Sequence, residues 1–202
     1  MSRAQEHNIF FTAISACKDR NSLVSVKHTY CFRNMEAPPY IVLLGDVGSG
    51  KSTIVEKVTG HRGRSSAAIQ SETVESKIFQ SFDGSLIECD TPGRDPMTDR
   101  FQHNLNIAHA MKFQPVTCIL IVVKADKRID NVIKSICSYA EGFIPDDVPT
   151  ELIAVCVTHM DTVRWDNKDL LRHLTSQLGI KSAVFSSTRT SREDLTRDLI
   201  IE

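Results

Sequence analysis

Tyr40-Ile41-Val42-Leu43-Leu44-Gly45-Asp46-Val47-Gly48-Ser49-Gly50-Lys51-Ser52 decides the fold of this 202-residue chain. Five apolar residues of strand length run into a glycine-rich turn with the pattern G-x-x-x-x-G-K-[ST], and a helical pattern follows with Ile54, Val55 and Val58 on one face and Gly60 as its stop. Several backbone N–H groups must converge on a polyphosphate, which calls for glycines that allow close approach, and a helix N-terminus adds partial positive charge. The segment Asp46, Val47, Gly48, Ser49, Gly50, Lys51, Ser52 and Thr53 is therefore read as a phosphate cradle. Lys51 supplies the point charge for the β and γ phosphates, and Ser52 the hydroxyl ligand of a Mg²⁺ ion. An ordinary glycine turn before a helix is the plain alternative, but the pattern arises by chance in roughly one chain in a hundred of this length.

Outward from this turn, strand-length apolar runs alternate with helical stretches, the rhythm of crossover units around a parallel sheet. Residues 73–82 and 85–89 read as two strands joined by Asp83 and Gly84, giving an antiparallel edge. A loop over 91–99 leads to a helix ending near Lys112. Strands follow at 116–123, 153–157 and 183–185, with helices at 130–143, 166–178 and 191–201 between and after them; Asp130 is a candidate cap and Gly179 a stop. The expected fold is an α/β three-layer nucleotide-binding domain over 40–202, its mostly parallel six-stranded sheet carrying one antiparallel edge strand. Residues 1–39 form an N-terminal extension set off by Pro38 and Pro39, read as a short hairpin covering an edge.

Composition narrows the function classes. Lys and Arg number 24 against 25 Asp and Glu, a formal charge of -1, so no basic excess points to a nucleic acid or an anionic membrane. No apolar run approaches the roughly 20 residues a membrane-spanning helix needs, and the N-terminus lacks the pattern of a secretory signal. The six cysteines are scattered, without zinc-site or disulfide-framework spacing, and read as reduced thiols of a cytoplasmic protein.

Four further segments carry chemistry. Asp90-Thr91-Pro92-Gly93 follows a strand one hairpin after the phosphate turn, placing Asp90 to hold the metal and the Gly93 amide to meet a γ-phosphate. A hydroxyl from the segment before the hairpin would complete the metal shell and the catalytic set; Thr73 is chosen, with Ser65, Ser66, Ser71 and Thr59 in competition. Thr158-His159-Met160-Asp161 follows a buried strand. Guanine offers N1–H and the N2 amine side by side, so the Asp161 carboxylate accepts from both, whereas adenine presents no such pair. His159 stands where a lysine stem would cover the purine. Lys124-Ala125-Asp126 is a rival one crossover too early, and Ser187-Thr188-Arg189 after the last strand offers backbone to the base carbonyl.

With these motifs in order, residues 40–199 resemble a TRAFAC-class GTPase domain, most like the septin, GIMAP and Toc branch in its Ser71-x-Thr73, its D-T-P-G box and its Thr158-His159 start to the base motif. The resemblance implies a guanine-nucleotide switch with GTP or GDP and Mg²⁺, often paired through its nucleotide face with a second copy. Arg94 occupies the place where Ras-like proteins carry a water-orienting glutamine, and a permanently charged guanidinium accepts no hydrogen bond from water. Arg94 is read as a solvated switch residue, with donation to a neighbouring copy as the alternative, Val47 as a bulky substitute for a glycine, and hydrolysis by the single chain as slow. A nucleotide-binding module without hydrolysis and an ATP-using enzyme are the competing readings.

Overall fold

A computed structural model describes residues 38–61, 75–94, 100–144 and 148–199. The N-terminal hairpin, Ser65, Ser66, Ser71 and Thr73 lie outside the described residues.

Strand β1 (Tyr40–Leu44) is buried along its whole length. Successive side chains leave a strand on opposite faces, so Tyr40, Val42 and Leu44 enter one apolar layer and Ile41 and Leu43 the other. The layers are closed by helices packed on both sides: α1 (Lys51–Thr59) and α5 (Arg192–Leu199) on the Ile41 face, α2 (Arg100–Lys112), α3 (Ile129–Phe143) and α4 (Asn167–His173) on the Tyr40 face. Covered on both faces, β4 (Cys118–Lys124) and β5 (Ile153–Thr158) read as nearly unbroken apolar runs, as central parallel strands do. With β2 (Lys77–Gln80), β3 (Ile87–Asp90) and β6 (Ser182–Phe185) they form one sheet of order β2-β3-β1-β4-β5-β6, and only β2 is antiparallel to its neighbour. This is the α/β architecture expected from the alternation of runs.

The chain leaves β1 toward β3 on one side and reaches β4 on the other, so the glycine turn after Leu44 stands where the strand order reverses. Such a switch point opens a crevice at the carboxyl ends of parallel strands.

Two local expectations change. The Asp83 carboxylate accepts from the Ser81 and Ser85 hydroxyls at 2.6 and 2.7 Å and from the Ser85 N–H at 3.0 Å, which gathers residues 81–86 into a wider turn and shortens both hairpin strands. Asp130 is not the cap of α3. Asp126 ties the entry instead, its Oδ1 accepting from Arg128 N–H at 2.8 Å and Asn131 Nδ2 at 3.0 Å, and Asp130 falls in the first turn where negative charge suits the helix dipole. Helix α4 has Asp166 as its cap and widens into a π turn over Leu174–Leu178 before Gly179 at φ 67°. Cys89, Cys118, Cys137 and Cys156 are free thiols.

Candidate functional site

The turn after β1 is shaped by two glycines with positive φ, Gly48 at 74° and Gly50 at 97°, the second serving as N-cap of α1 without any side-chain hydrogen bond. The N–H groups of the first turn of α1 are thereby left to an external acceptor. Lys51 is buried at the helix start, its ammonium donating to the carbonyls of Gly45 at 2.8 Å and Asp46 at 3.0 Å. Burial pulls that ammonium down to about 8 against the charges of Asp90 and Asp46, which act the other way. Ser52 donates to Asp90 Oδ2 at 2.7 Å, so the hydroxyl and carboxylate chosen as metal ligands stand side by side across α1 and the end of β3.

The D-T-P-G segment is buried against the turn. Thr91 donates to the Leu43 carbonyl oxygen. A Cβ on Gly93 would stand 2.7 Å from the Val47 nitrogen and 2.8 Å from its Cα, so only glycine permits this approach. Thr73 lies outside the described residues.

At the tip of β5, the Thr158 hydroxyl lies 2.7 Å from the Ser49 carbonyl and 2.8 Å from His159 Nδ1. Its single proton goes to the carbonyl, so His159 is assigned the Nδ1–H tautomer, donating to Thr158 and leaving Nε2 as an acceptor. His159 adopts φ 57°, the one non-glycine residue with positive φ among the described residues. Burial first, then the Lys124 charge, holds its imidazole below the usual range and so neutral at pH 7; Asp161 opposes them. Asp161 is exposed on the 3₁₀ turn Met160–Thr162, and the Thr188 hydroxyl reaches its Oδ2 at 3.4 Å.

The Ser187–Thr190 loop is closed on itself by Ser187 N–H to Thr190 Oγ1 at 2.9 Å. Lys57, two turns along α1 from Lys51, donates to the carbonyls of Ser187 at 3.0 Å and Thr190 at 3.2 Å. One helix thus begins at the phosphate turn and anchors the loop beside Asp161. The rival Asp126 is engaged with the start of α3, and its carbonyl accepts from Trp165 Nε1 at 2.8 Å.

Arg94 departs from the solvated reading. Its Nε lies 2.9 Å from Asp46 Oδ1, its Nη1 donates to Ser138 Oγ at 2.8 Å, and its guanidinium carbon sits 4.4 Å from the centre of the Tyr139 ring. Sequence reading missed Tyr139, Lys57 and Glu88, because each is an ordinary member of a helix or strand pattern. Glu88 is fully buried beneath α1, neither carboxyl oxygen has a hydrogen-bond partner among the described residues, and burial with the nearby Asp90 charge pushes it up to about 8. A groove of about 1320 Å³ between the β2–β3 turn and α5, lined by Phe82, Leu86, Arg192 and Thr196 among others, lies at the far end of the sheet from these groups.

Solved structures share this fold. NFeoB from S. thermophilus bound to GDP·AlF₄⁻ and K⁺ matches with a TM-score of 0.56 and 20% identity over 79% of this chain and 60% of that one. The mGMPPNP-bound form of NFeoB from S. thermophilus gives 0.54 and 21% over 79% and 59%, and the SsGBP and GDP complex 0.58 and 17% over 89% and 54%. The chain spans about three fifths or less of the length of these three. No curated protein matches. The family model described as 50S ribosome-binding GTPase (MMR_HSR1) matches residues 40–156, more than half of the chain, and on that match the chain belongs to this family of GTP-binding P-loop GTPase domains.

Proposed function

We propose that the chain is a guanine-nucleotide switch that binds GTP and GDP with Mg²⁺ and hydrolyses GTP slowly. The observation that carries this reading is the joining of three recognition segments on one crevice. Thr158 ties the base motif to Ser49 of the phosphate turn, Lys57 ties the last loop to the same helix, and the Thr188 hydroxyl reaches Asp161. A nucleotide's two ends would be held by parts already fixed to each other.

In this reading the amides from Asp46 to Thr53 and the Lys51 ammonium hold the phosphates, Asp161 takes the N1–H and N2 amine of guanine, and the Ser187–Thr188 backbone meets the base carbonyl. The neutral His159 ring lies along the purine in place of a lysine stem. The Ser52–Asp90 pair fits a hard dication, since a hydroxyl and a carboxylate already stand 2.7 Å apart and both are oxygen donors. Ser52, Asp90 and Thr73 would hold Mg²⁺, which offsets triphosphate charge when bound. Gly93 would offer its amide to the γ-phosphate.

The likeness to the septin, GIMAP and Toc branch supports pairing of two copies through the nucleotide face, and the free thiols support a cytoplasmic setting. Among the described residues no helix is long and apolar enough to cross a membrane. Arg94 is committed to Asp46 and Tyr139, so the place after D-T-P-G offers no side chain to orient water. That favours slow turnover, and equally the second reading, a nucleotide-binding module without hydrolysis.

Titration of the purified chain with GTP, GDP and ATP analogues, with and without Mg²⁺, is expected to give guanine binding that strengthens with the ion and a far weaker adenine response; equal affinity for adenine would refute the base assignment. Single-turnover phosphate release is expected to be slow in dilute protein and to rise with its concentration, because a second copy can supply a transition-state cation worth about 10³–10⁵ in rate in related chemistry. No release at any concentration selects the binding module, whereas fast release indifferent to dilution rules out the need for a second copy.

A further inference from the structure

Three segments meet at the Asp46 carboxylate. Its Oδ1 accepts from Arg94 Nε and from the Tyr139 hydroxyl, each at 2.9 Å, and Arg94 reaches on to Ser138 beside Tyr139 on α3. The Tyr139 ring, fully buried, forms a floor beneath the guanidinium at 4.4 Å. The planar fork of arginine suits this role, because it can pair with a carboxylate, donate sideways and stack at once.

The backbone beneath repeats the connection. Beyond the β1–β3 ladder, Asp46 and Arg94 form an isolated parallel bridge, with Arg94 N–H donating to the Gly45 carbonyl at 3.2 Å and Val47 N–H to the Arg94 carbonyl at 3.4 Å. Gly93 consequently lies hard against Val47. Each of these contacts joins groups of the chain itself.

We propose that Arg94 is a positioning residue: the Asp46–Arg94–Tyr139 latch fastens the D-T-P-G turn to the phosphate turn before a nucleotide arrives, so that a terminal phosphate meets Gly93 already in place. The inference rests on the phosphate-turn reading above and deepens it. In a switch without such a latch, the γ-phosphate itself must order the turn, and the measured affinity is reduced by the fraction of molecules that are competent. Here the chain sets that fraction. Triphosphate affinity should therefore depend on Arg94, diphosphate affinity should not, and the side chain is engaged within its own molecule instead of being offered to a neighbour.

The test is titration of the parent protein and of Arg94→Ala, Arg94→Lys and Tyr139→Phe with GMPPNP and with GDP, both with Mg²⁺, after thermal melts confirm folding. The half-buried pair, the stacking and the charged hydrogen bonds are individually modest, so Arg94→Ala is expected to weaken GMPPNP by about tenfold and to leave GDP within about twofold. Arg94→Lys keeps the charge pair but loses the fork, and recovers part of the loss; Tyr139→Phe shifts the ratio in the same direction by less. Equal weakening of both nucleotides, no change in their ratio, or tighter GMPPNP binding would each overturn the latch. Failure of the parent protein to bind GDP at all would instead defeat the phosphate-turn reading on which it rests.

Discussion

Asp161→Asn is expected to lower GDP affinity by about 10–10²-fold, because one of the two hydrogen bonds to the carboxylate, worth about 1.5–3 kcal/mol, is lost and the other becomes a bond to a neutral amide. The amide that replaces the carboxylate still accepts from N1–H, but its other half is now a donor facing the guanine N2 amine. Xanthine carries a carbonyl oxygen in that place. The variant should therefore bind XDP more tightly than GDP, reversing the parent preference. Asp161 is exposed on a short turn, and among the described residues the one side-chain hydrogen bond to it is the 3.4 Å approach of Thr188, so the substitution should leave the melting temperature nearly unchanged. Parallel titrations with GDP and XDP decide the matter: a variant that retains the parent order of affinity places base recognition elsewhere.

Much of this site can be read along the chain because its parts are consecutive. The glycines and Lys51 occupy adjacent positions, and the strand before them and helix after them are announced by continuous apolar runs. The sheet is legible for the same reason, since strands buried on both faces leave long apolar stretches such as residues 118–123 and 153–157. What joins the parts was not legible. Lys57 is one charge on a helix, and nothing local says that its ammonium crosses to carbonyls 130 and 133 residues away. Arg94 looked like a solvated switch residue because its partners, Asp46 and Tyr139, come together only when α3 packs over the sheet. Glu88 sits in a strand whose burial on the α1 side depends on the sheet order. Asp130 was misread as a cap because a helix entry can be tied by a residue outside the helix, and Asp126 does so through an Asx-type turn.

Two glycines of the phosphate turn should lose unequally on substitution by alanine, although both lie in one motif. A Cβ on Gly45 would sit 2.3 Å from the Val122 carbonyl oxygen and 2.7 Å from Ser49 Oγ. The first neighbour is backbone in the middle of the sheet and cannot rotate aside. Gly45→Ala must therefore separate β1 from β4 or displace the turn, and overpacking of this kind is expected to cost about 3 kcal/mol and to abolish nucleotide binding. Gly48 has φ 74° with nothing within 4 Å of an added Cβ, so alanine there meets open space and incurs only the left-handed penalty of about 1–2 kcal/mol. Urea unfolding of the two variants beside the parent measures both, and GDP titration reads the turn. The ordering follows from steric distance alone: the fixed first glycine of the motif is required by the sheet even before any phosphate is bound. Gly45→Ala unfolding at the parent midpoint, or proving milder than Gly48→Ala, would show that the turn and β4 are not packed as described.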